Sequence, residues 1–329
     1  MIMELVIAFA VSLIVTALTG HFLVPFLKRM KAGQIIREDG PVWHEKKQGT
    51  PTMGGVMFIA GVTVVCLTVG IKEMIAGVFS HLFVLVFALI YAVIGFLDDY
   101  EKLKKKQNLG LKARQKFILQ LVVAVIFIFT LRLTGDLTTD LYIPFFNITI
   151  ILPKIVYYVF MAFVLVATVN AVNITDGIDG LATGVSIPVA ICYTLIAFLW
   201  GYSALGVFAA ALTGALAAFL FFNLHPAKVF MGDTGSLFLG GAVCAMAFAM
   251  DMPLILIPLG IVYIVETLSD IIQIVYFKLT HGKRVFKMAP IHHHFEMCGW
   301  SEYKLFFVFT AVSAIFAVLS YIGVLNRYN

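Results

Sequence analysis

Charge is what this chain has least of. Asp, Glu, Lys and Arg make up 12% of its 329 residues, against roughly 25% in an ordinary soluble domain. With 61% hydrophobic residues and a mean hydropathy of +1.01, a water-soluble globular protein is excluded and an integral membrane protein is implied. Cysteine is also scarce. Cys66, Cys192, Cys244 and Cys298 lie far apart, the first three inside apolar runs, which argues against a disulfide framework or a Cys-based metal site and leaves free thiols. Missing too are the alternating strands of about ten residues that build an outer-membrane barrel. The opening segment, roughly Glu4 to Phe26, has no basic n-region and no small-residue cleavage site, so it is expected to be a retained first span and not a signal peptide.

What the chain does have is long apolar runs. A helix needs ~20 apolar residues to cross the hydrocarbon core, and ten stretches qualify as candidates: about 4–26, 53–70, 79–97, 117–134, 152–170, 185–200, 202–222, 235–250, 253–277 and 304–325. The expected fold is an all-α integral membrane protein, a single polytopic domain of about ten transmembrane helices. Residues 136–150 are too short and too mixed to span. A surface hairpin is expected there, with Pro144 opposing a regular strand.

Lysine and arginine report orientation, because they collect on the cytoplasmic side. Nineteen of the twenty-three lie in loops 27–52, 98–116, 223–234 and 278–304. Only Lys72, Arg132, Lys154 and Arg327 belong to the other side. Both termini are therefore expected outside, with the hairpin on the outer face. Those four loops, and by alternation 170–184, are expected to face the cytoplasm. The net charge of +5 follows from this bias and calls for no nucleic-acid partner.

Every unusual polar cluster falls in or beside those loops. Asp98 and Asp99 in FLDDY could be a solvated helix end, with Lys102, Lys104, Lys105 and Lys106 as counter-ions. Two adjacent carboxylates also raise each other's pKa and suit a base or a divalent cation, and the pair alone does not choose. NAVNITDGIDGLA concentrates Asn170, Asn173, Asp176 and Asp179 in an otherwise frugal chain; an Asp-Gly turn would explain part of it, but the spacing of an EF-hand is absent. FMGDTGS sets Asp233 after Gly232, with Thr234 and Ser236 as possible caps. Glycine permits close approach by a ligand and a helix N-terminus favours phosphate, so a carboxylate there is expected to hold Mg²⁺ that in turn binds phosphate. GTPTMGG, near Lys47, adds hydroxyls and a cation.

Within the ninth run, Glu266, Asp270 and Gln273 share one helical face, an intramembrane polar patch that defaults to a cavity or functional role. PIHHHFE places His292, His293 and His294 in a row. Consecutive side chains diverge, so one shared zinc is disfavoured, and the nearby Lys283, Arg284 and Lys287 favour phosphate binding or acid-base work.

These five motifs, in order over residues 47 to 296, resemble those of the polyprenyl-phosphate N-acetylhexosamine-1-phosphate transferase superfamily, and within it the bacterial phospho-N-acetylmuramoyl-pentapeptide transferases. The resemblance implies a glycosyl-1-phosphate transferase of peptidoglycan synthesis in the bacterial cytoplasmic (inner) membrane. Its substrates would be UDP-N-acetylmuramoyl-pentapeptide and undecaprenyl phosphate, its products lipid I and UMP, its cofactor Mg²⁺, and its assembly a homodimer among membrane lipid. Carried over residue by residue, it implies Asp233 as the Mg²⁺ ligand. Asp98 and Asp99 would position or deprotonate the lipid phosphate, with Asp98 the favoured base, and His293 would assist at the phosphates. Lys47, Thr52, Lys102 and Lys116 would contact phosphate and phosphosugar. Asn173, Asp176, Asp179, Asn223, Phe230 and Gln273 would line the uridine and sugar side, with His292 and His294 shaping the nucleotide site. Other branches, using UDP-N-acetylglucosamine or related sugars, typically vary at PIHHHFE. An ion-coupled carrier should instead show inverted halves and polar residues at mid-membrane, whereas these motifs crowd one surface.

Overall fold

The computed structural model describes residues 1–30, 47–105, 107, 109–134 and 138–327. Residues 31–46 of the first basic loop, Lys106, and the first two residues of the 136–150 segment lie outside the described residues. The elements are α1 (Ile2–Arg29), α2 (Gly55–Thr68), α3 (Ile71–Ile75), α4 (Ser80–Lys105), α5 (Ala113–Thr134), β1 (Asp140–Ile143), β2 (Ile148–Ile151), α6 (Lys154–Thr175) and α7 (Leu181–Leu199). They continue with α8 (Ser203–Asn223), α9 (Gly232–Ala249), α10 (Leu256–Leu259), α11 (Ile261–Leu279), α12 (Ile291–Glu296) and α13 (Glu302–Val324).

All ten apolar runs appear as helix, and the chain is an all-α multi-pass membrane protein. Among the described residues, eight helices are long and apolar enough to cross a bilayer. The other two runs differ from simple spans. α2 has 14 residues, about 21 Å at 1.5 Å per residue, and ends in a turn to α3 at Gly70. The ninth run is broken at Gly260, where Pro253–Leu259 and Ile261–Leu279 meet at 79°. Pro258 and Gly260 sit at the break, and a proline lacks the amide that would continue the ladder. Several helices also run into stretches expected as loop. α4 continues to Lys105 and α6 to Thr175, so Asp98, Asp99, Lys102, Asn170 and Asn173 stand on terminal helical turns, a more rigid mounting than a loop.

The hairpin forms as expected in outline. β1 and β2 pair antiparallel, with Asp140 opposite Ile151 and Ile143 opposite Ile148, and Pro144 falls in the turn between them, where its missing N–H costs no ladder bond. Arg327 anchors this end. It pairs with Asp251 at 2.9 Å and lies over the rings of Tyr142 and Trp200.

α9 is the central post. Every residue from Thr234 to Phe248 is buried, which explains a sequence rich in Gly and Ala: without side-chain bulk, helices approach to backbone contact. A Cβ on Gly55 of α2 would lie 2.2 Å from Gly235 Cα, one on Gly95 of α4 would lie 2.0 Å from the Asp233 carbonyl oxygen, and one on Gly240 would lie 2.7 Å from Val169 Cα of α6. These close approaches lock the α9 N-terminus against the ends of α2, α4 and α6. The polar motifs ride on those same ends.

Candidate active site

At that end of the bundle Asp98, Asp99 and Asp233 converge, with one oxygen of each within 4.8 Å of the others. Asp99 is 2% exposed and serves α9. Its Oδ1 accepts the Asp233 amide at 3.1 Å, and its Oδ2 accepts the Thr234 amide at 2.9 Å and the Thr234 hydroxyl at 2.7 Å. The helix start that the sequence offered to phosphate is thus capped by a carboxylate from α4, which also complements the helix dipole. Gly232, at φ +72°, makes room for it. A Cβ there would stand 2.7 Å from both Asp99 Oδ2 and Thr52 Oγ1, so Thr52 is buried at this junction.

Asp98 accepts the Leu111 amide at 2.9 Å on Oδ1 and meets Lys102 Nζ at 2.6 Å on Oδ2. Asp233 accepts from Asn173 Nδ2 at 2.8 Å on Oδ1, and from Lys102 and Lys116 Nζ at 3.0 and 2.8 Å on Oδ2. Lys116 also reaches Asn173 Oδ1 at 3.3 Å, and Asn173 donates to Ser236 Oγ at 2.7 Å. Asn170 stands one turn back, donating to Gln120 Oε1 at 2.6 Å. Three carboxylates are therefore matched by two ammonium groups, leaving a net negative charge. The oxygen donors are hard, as Mg²⁺ requires. With both oxygens of Asp99 committed to the start of α9, Asp233 and Asp98 are the pair whose oxygens could share a cation.

A second cluster adjoins. Lys47 Nζ bridges Asp179 Oδ1 at 2.9 Å and Glu302 Oε2 at 2.6 Å. His225 Nδ1 donates to Asp179 Oδ2 at 2.9 Å, beside the Ala227 amide at 3.0 Å. Asp179, His225 and Glu302 have the geometry to hold a cation, but the Lys47 ammonium already binds two of them. Asp176 closes the last turn of α6, its amide donating to the Asn173 carbonyl at 3.3 Å, and its carboxyl feels the charges of both clusters. Burial, and then the charges of Asp233, Asp99 and Asp179, hold its carboxyl well above the usual carboxylate range.

The three histidines diverge. His292 Nδ1 donates to Glu266 at 2.8 Å, His293 Nδ1 to Glu296 at 2.6 Å, and His294 Nδ1 accepts the Lys287 amide at 3.1 Å. Three candidates face backbone. Gln273 clamps the Val285 and Phe286 amides and the Phe286 carbonyl at 3.0–3.1 Å. Asn223 accepts from Thr183 at 2.8 Å and donates to the Val229 carbonyl at 3.1 Å. Phe230 is tied to Pro51 and Gly54 by two backbone bonds of 2.8 Å, with a half-buried ring. These shape the walls. The sequence reading missed His225 and Glu302 as site members. His225 lies just before FMGDTGS, in the continuous stretch NLHPAKVFMGDTGS, whereas Glu302 carries no local signal, since its partner Asp179 is 123 residues away.

An all-helical membrane bundle that gathers carboxylates and lysines at one end defines a class, and the comparisons agree with it. Residues 81–251 match the family model for glycosyl transferase family 4, and residues 47–59 match the phospho-N-acetylmuramoyl-pentapeptide-transferase signature 1. Curated proteins named phospho-N-acetylmuramoyl-pentapeptide-transferase are similar over nearly the whole chain. One from Geobacillus thermodenitrificans is 48% identical over 96% of both chains. Another from Clostridium botulinum is 47% identical over 97% of this chain and 95% of its own, and one from Caldanaerobacter subterraneus is 43% identical over 98% and 99%. The chain belongs to the phospho-N-acetylmuramoyl-pentapeptide-transferase family of membrane glycosyl transferases.

Proposed function

We propose that this protein transfers phospho-N-acetylmuramoyl-pentapeptide from its UDP conjugate to undecaprenyl phosphate, forming lipid I and releasing UMP at the cytoplasmic face of the bacterial inner membrane. The observation that carries this reading is the convergence on Asp233 of Lys102, Lys116 and Asn173 beside Asp98, in a chain of this family. A lipid phosphate and a soluble nucleotide diphosphate are both anionic. They need cations at a membrane surface and a carboxylate to take or exclude the acceptor's proton.

In this reading Asp233 and Asp98 hold Mg²⁺, which when bound offsets charge on the diphosphate and on the departing UMP. Lys102 and Lys116 swing from Asp233 to phosphate oxygens. Asp98 orients the lipid phosphate and accepts its proton, while Asp99 keeps α9 and Asp233 in place. Lys47 and Asp179 lie toward the nucleotide and sugar, with Phe230 as an apolar wall, and His293 assists at the phosphates. The active form is a homodimer in lipid. The test is purified protein with undecaprenyl phosphate and Mg²⁺, offered each UDP-sugar in turn, with UMP release measured. Release with UDP-N-acetylmuramoyl-pentapeptide is expected; release with UDP-N-acetylglucosamine alone would reject the assignment.

A further inference from the structure

α5 carries Lys116 into the site yet turns much of its surface to lipid. Phe117, Ile118, Val122, Val125 and Phe129 are all exposed. Lipid is as apolar as these side chains, so they favour no one register of α5 over another. Lys116 does require a register, because it stands near the start of the helix and must meet Asp233 at 2.8 Å and Asn173 at 3.3 Å. A slip of one residue would rotate it by about 100° and move it by about 1.5 Å along the axis. Phe127 packs among the rings of Phe83, Phe87 and Phe248, but that packing lies about 16 Å further along the helix, too far to fix its opening turns.

One turn beyond Lys116 stands Gln120, which is 0% exposed and belongs to none of the five motifs. It is tied on two sides. Its Oε1 accepts from Asn170 Nδ2 at 2.6 Å and its Nε2 donates to Asn170 Oδ1 at 3.4 Å, a reciprocal amide pair between α5 and α6. Its backbone carbonyl accepts the Tyr91 hydroxyl of α4 at 3.2 Å. Asn170 is held in turn, since its Nδ2 also donates to the Val166 carbonyl at 2.8 Å. Both hydrogens of that amide are thereby used, and Asn170 supports α5 instead of facing the carboxylates. Lys116 with Asn173 and Gln120 with Asn170 are thus successive rungs between the same two helices. Amide hydrogen bonds are directional where the apolar contacts are not, and slipping α5 would strand both carboxamides away from water, which an apolar surrounding penalises. One buried polar residue fixes the register of a coiled coil for the same reason.

We propose that Gln120 is a positioning residue for the transfer: paired with Asn170, it fixes the register of α5 so that Lys116 reaches Asp233 and the substrate phosphates. The inference rests on the proposed use of Lys116 toward phosphate. It gives a role to a buried glutamine outside the motifs, and moves Asn170 from the substrate to the support of Lys116.

The test uses the full chain in detergent with its lysines reductively methylated with ¹³C, Lys116 and Lys102 being assigned by loss of their signals in Lys116→Arg and Lys102→Arg. In the wild type both signals should stand apart from those of exposed lysines, since both groups meet Asp233. Gln120→Met keeps the length of the side chain and removes its amide. The Lys116 signal should then move to the position of exposed lysines while that of Lys102 stays, and kcat of the unmethylated enzyme should fall about 10–10²-fold, the scale of a misplacement near 1 Å. Gln120→Asn, too short to reach α6, should do the same, and adding Asn170→Gln should return the Lys116 signal and bring kcat to within a few-fold of wild type. Should Gln120→Met fail to fold, Gln120→Asn with and without Asn170→Gln carries the same comparison. A Lys116 signal unmoved in the folded single variants, a Lys102 signal that moves equally, or a folded exchange variant that restores neither signal nor kcat would overturn the inference and leave the proposed function standing. A wild-type protein that releases no UMP from any UDP-sugar would remove the proposed function, with the Lys116 signal still deciding whether Gln120 sets the register.

Discussion

Asp233→Asn separates the catalytic reading of the carboxylate cluster from a structural one. Asp233 accepts three hydrogen bonds, from Asn173, Lys102 and Lys116. Lys102 keeps Asp98 at 2.6 Å and Asp99 at 4.0 Å in the variant, and Lys116 keeps Asn173 Oδ1 at 3.3 Å, so neither ammonium is stranded. The loss amounts to weakening one or two charge-assisted bonds, about 1.5–3 kcal/mol, in a site 16% exposed. Asp99 continues to cap α9, because it binds the backbone of residue 233 and not its side chain. The variant should therefore fold, with a modest fall in apparent melting temperature. Activity should suffer far more. Losing one preorganised electrostatic group at a developing charge costs about 10²–10³ in kcat, and losing the principal metal ligand adds to that, so a drop of at least ~10³ in UMP release is expected. Added Mg²⁺ should not restore it. A folded variant with Mg²⁺-dependent turnover within about tenfold of wild type would refute the assignment.

Other predictions come from the packing and the charges. Gly95→Ala should destabilise the protein by about 1–3 kcal/mol, the usual cost of overpacking, and lower activity, because its Cβ would stand 2.0 Å from the Asp233 carbonyl oxygen and drive α9 from α4; thermal unfolding and turnover both check this. Asp176→Asn should raise the apparent melting temperature, and by more at higher pH. A carboxyl whose folded pKa lies above its unfolded value, as burial and neighbouring carboxylates make it here, loses stability as pH rises from the unfolded pKa to the folded one, and costs nothing well below both values; a gain no larger at about pH 7 than at about pH 3 would contradict this. Glu302→Gln should leave Lys47 with Asp179 as its single charged partner among the described residues and raise the nucleotide KM several-fold, with the KM for undecaprenyl phosphate unchanged.

Much of the architecture is legible in the sequence because a bilayer imposes a one-dimensional code. Each span must satisfy its own backbone and present apolar side chains to lipid, so all ten runs could be read as helices. The two that depart from a simple span do so at Gly and Pro positions whose effect on direction depends on packing. The site was legible as a set of residue types: most of the polar side chains that converge, from Lys47 to Asp233, lie in motifs that stand out against an apolar background. Their division of labour was not legible. Adjacent Asp98 and Asp99 look equivalent in sequence, yet one serves the helix start of α9 and the other faces Lys102. The polar face of α11 divides in the same way, with Gln273 tying down a loop and Glu266 holding an imidazole.

The sequence by itself determined a multi-pass helical membrane protein, its apolar runs, and the inventory of carboxylates, lysines and histidines in its motifs, because hydropathy and motif composition are local properties. Only the tertiary structure decided which of those groups meet. Asp233 meets Lys102 and Lys116 across 131 and 117 residues, and Lys47 meets Glu302 across 255. Such contacts depend on how close α9 can come to its neighbours, and that distance is set by glycines whose partners lie on other helices.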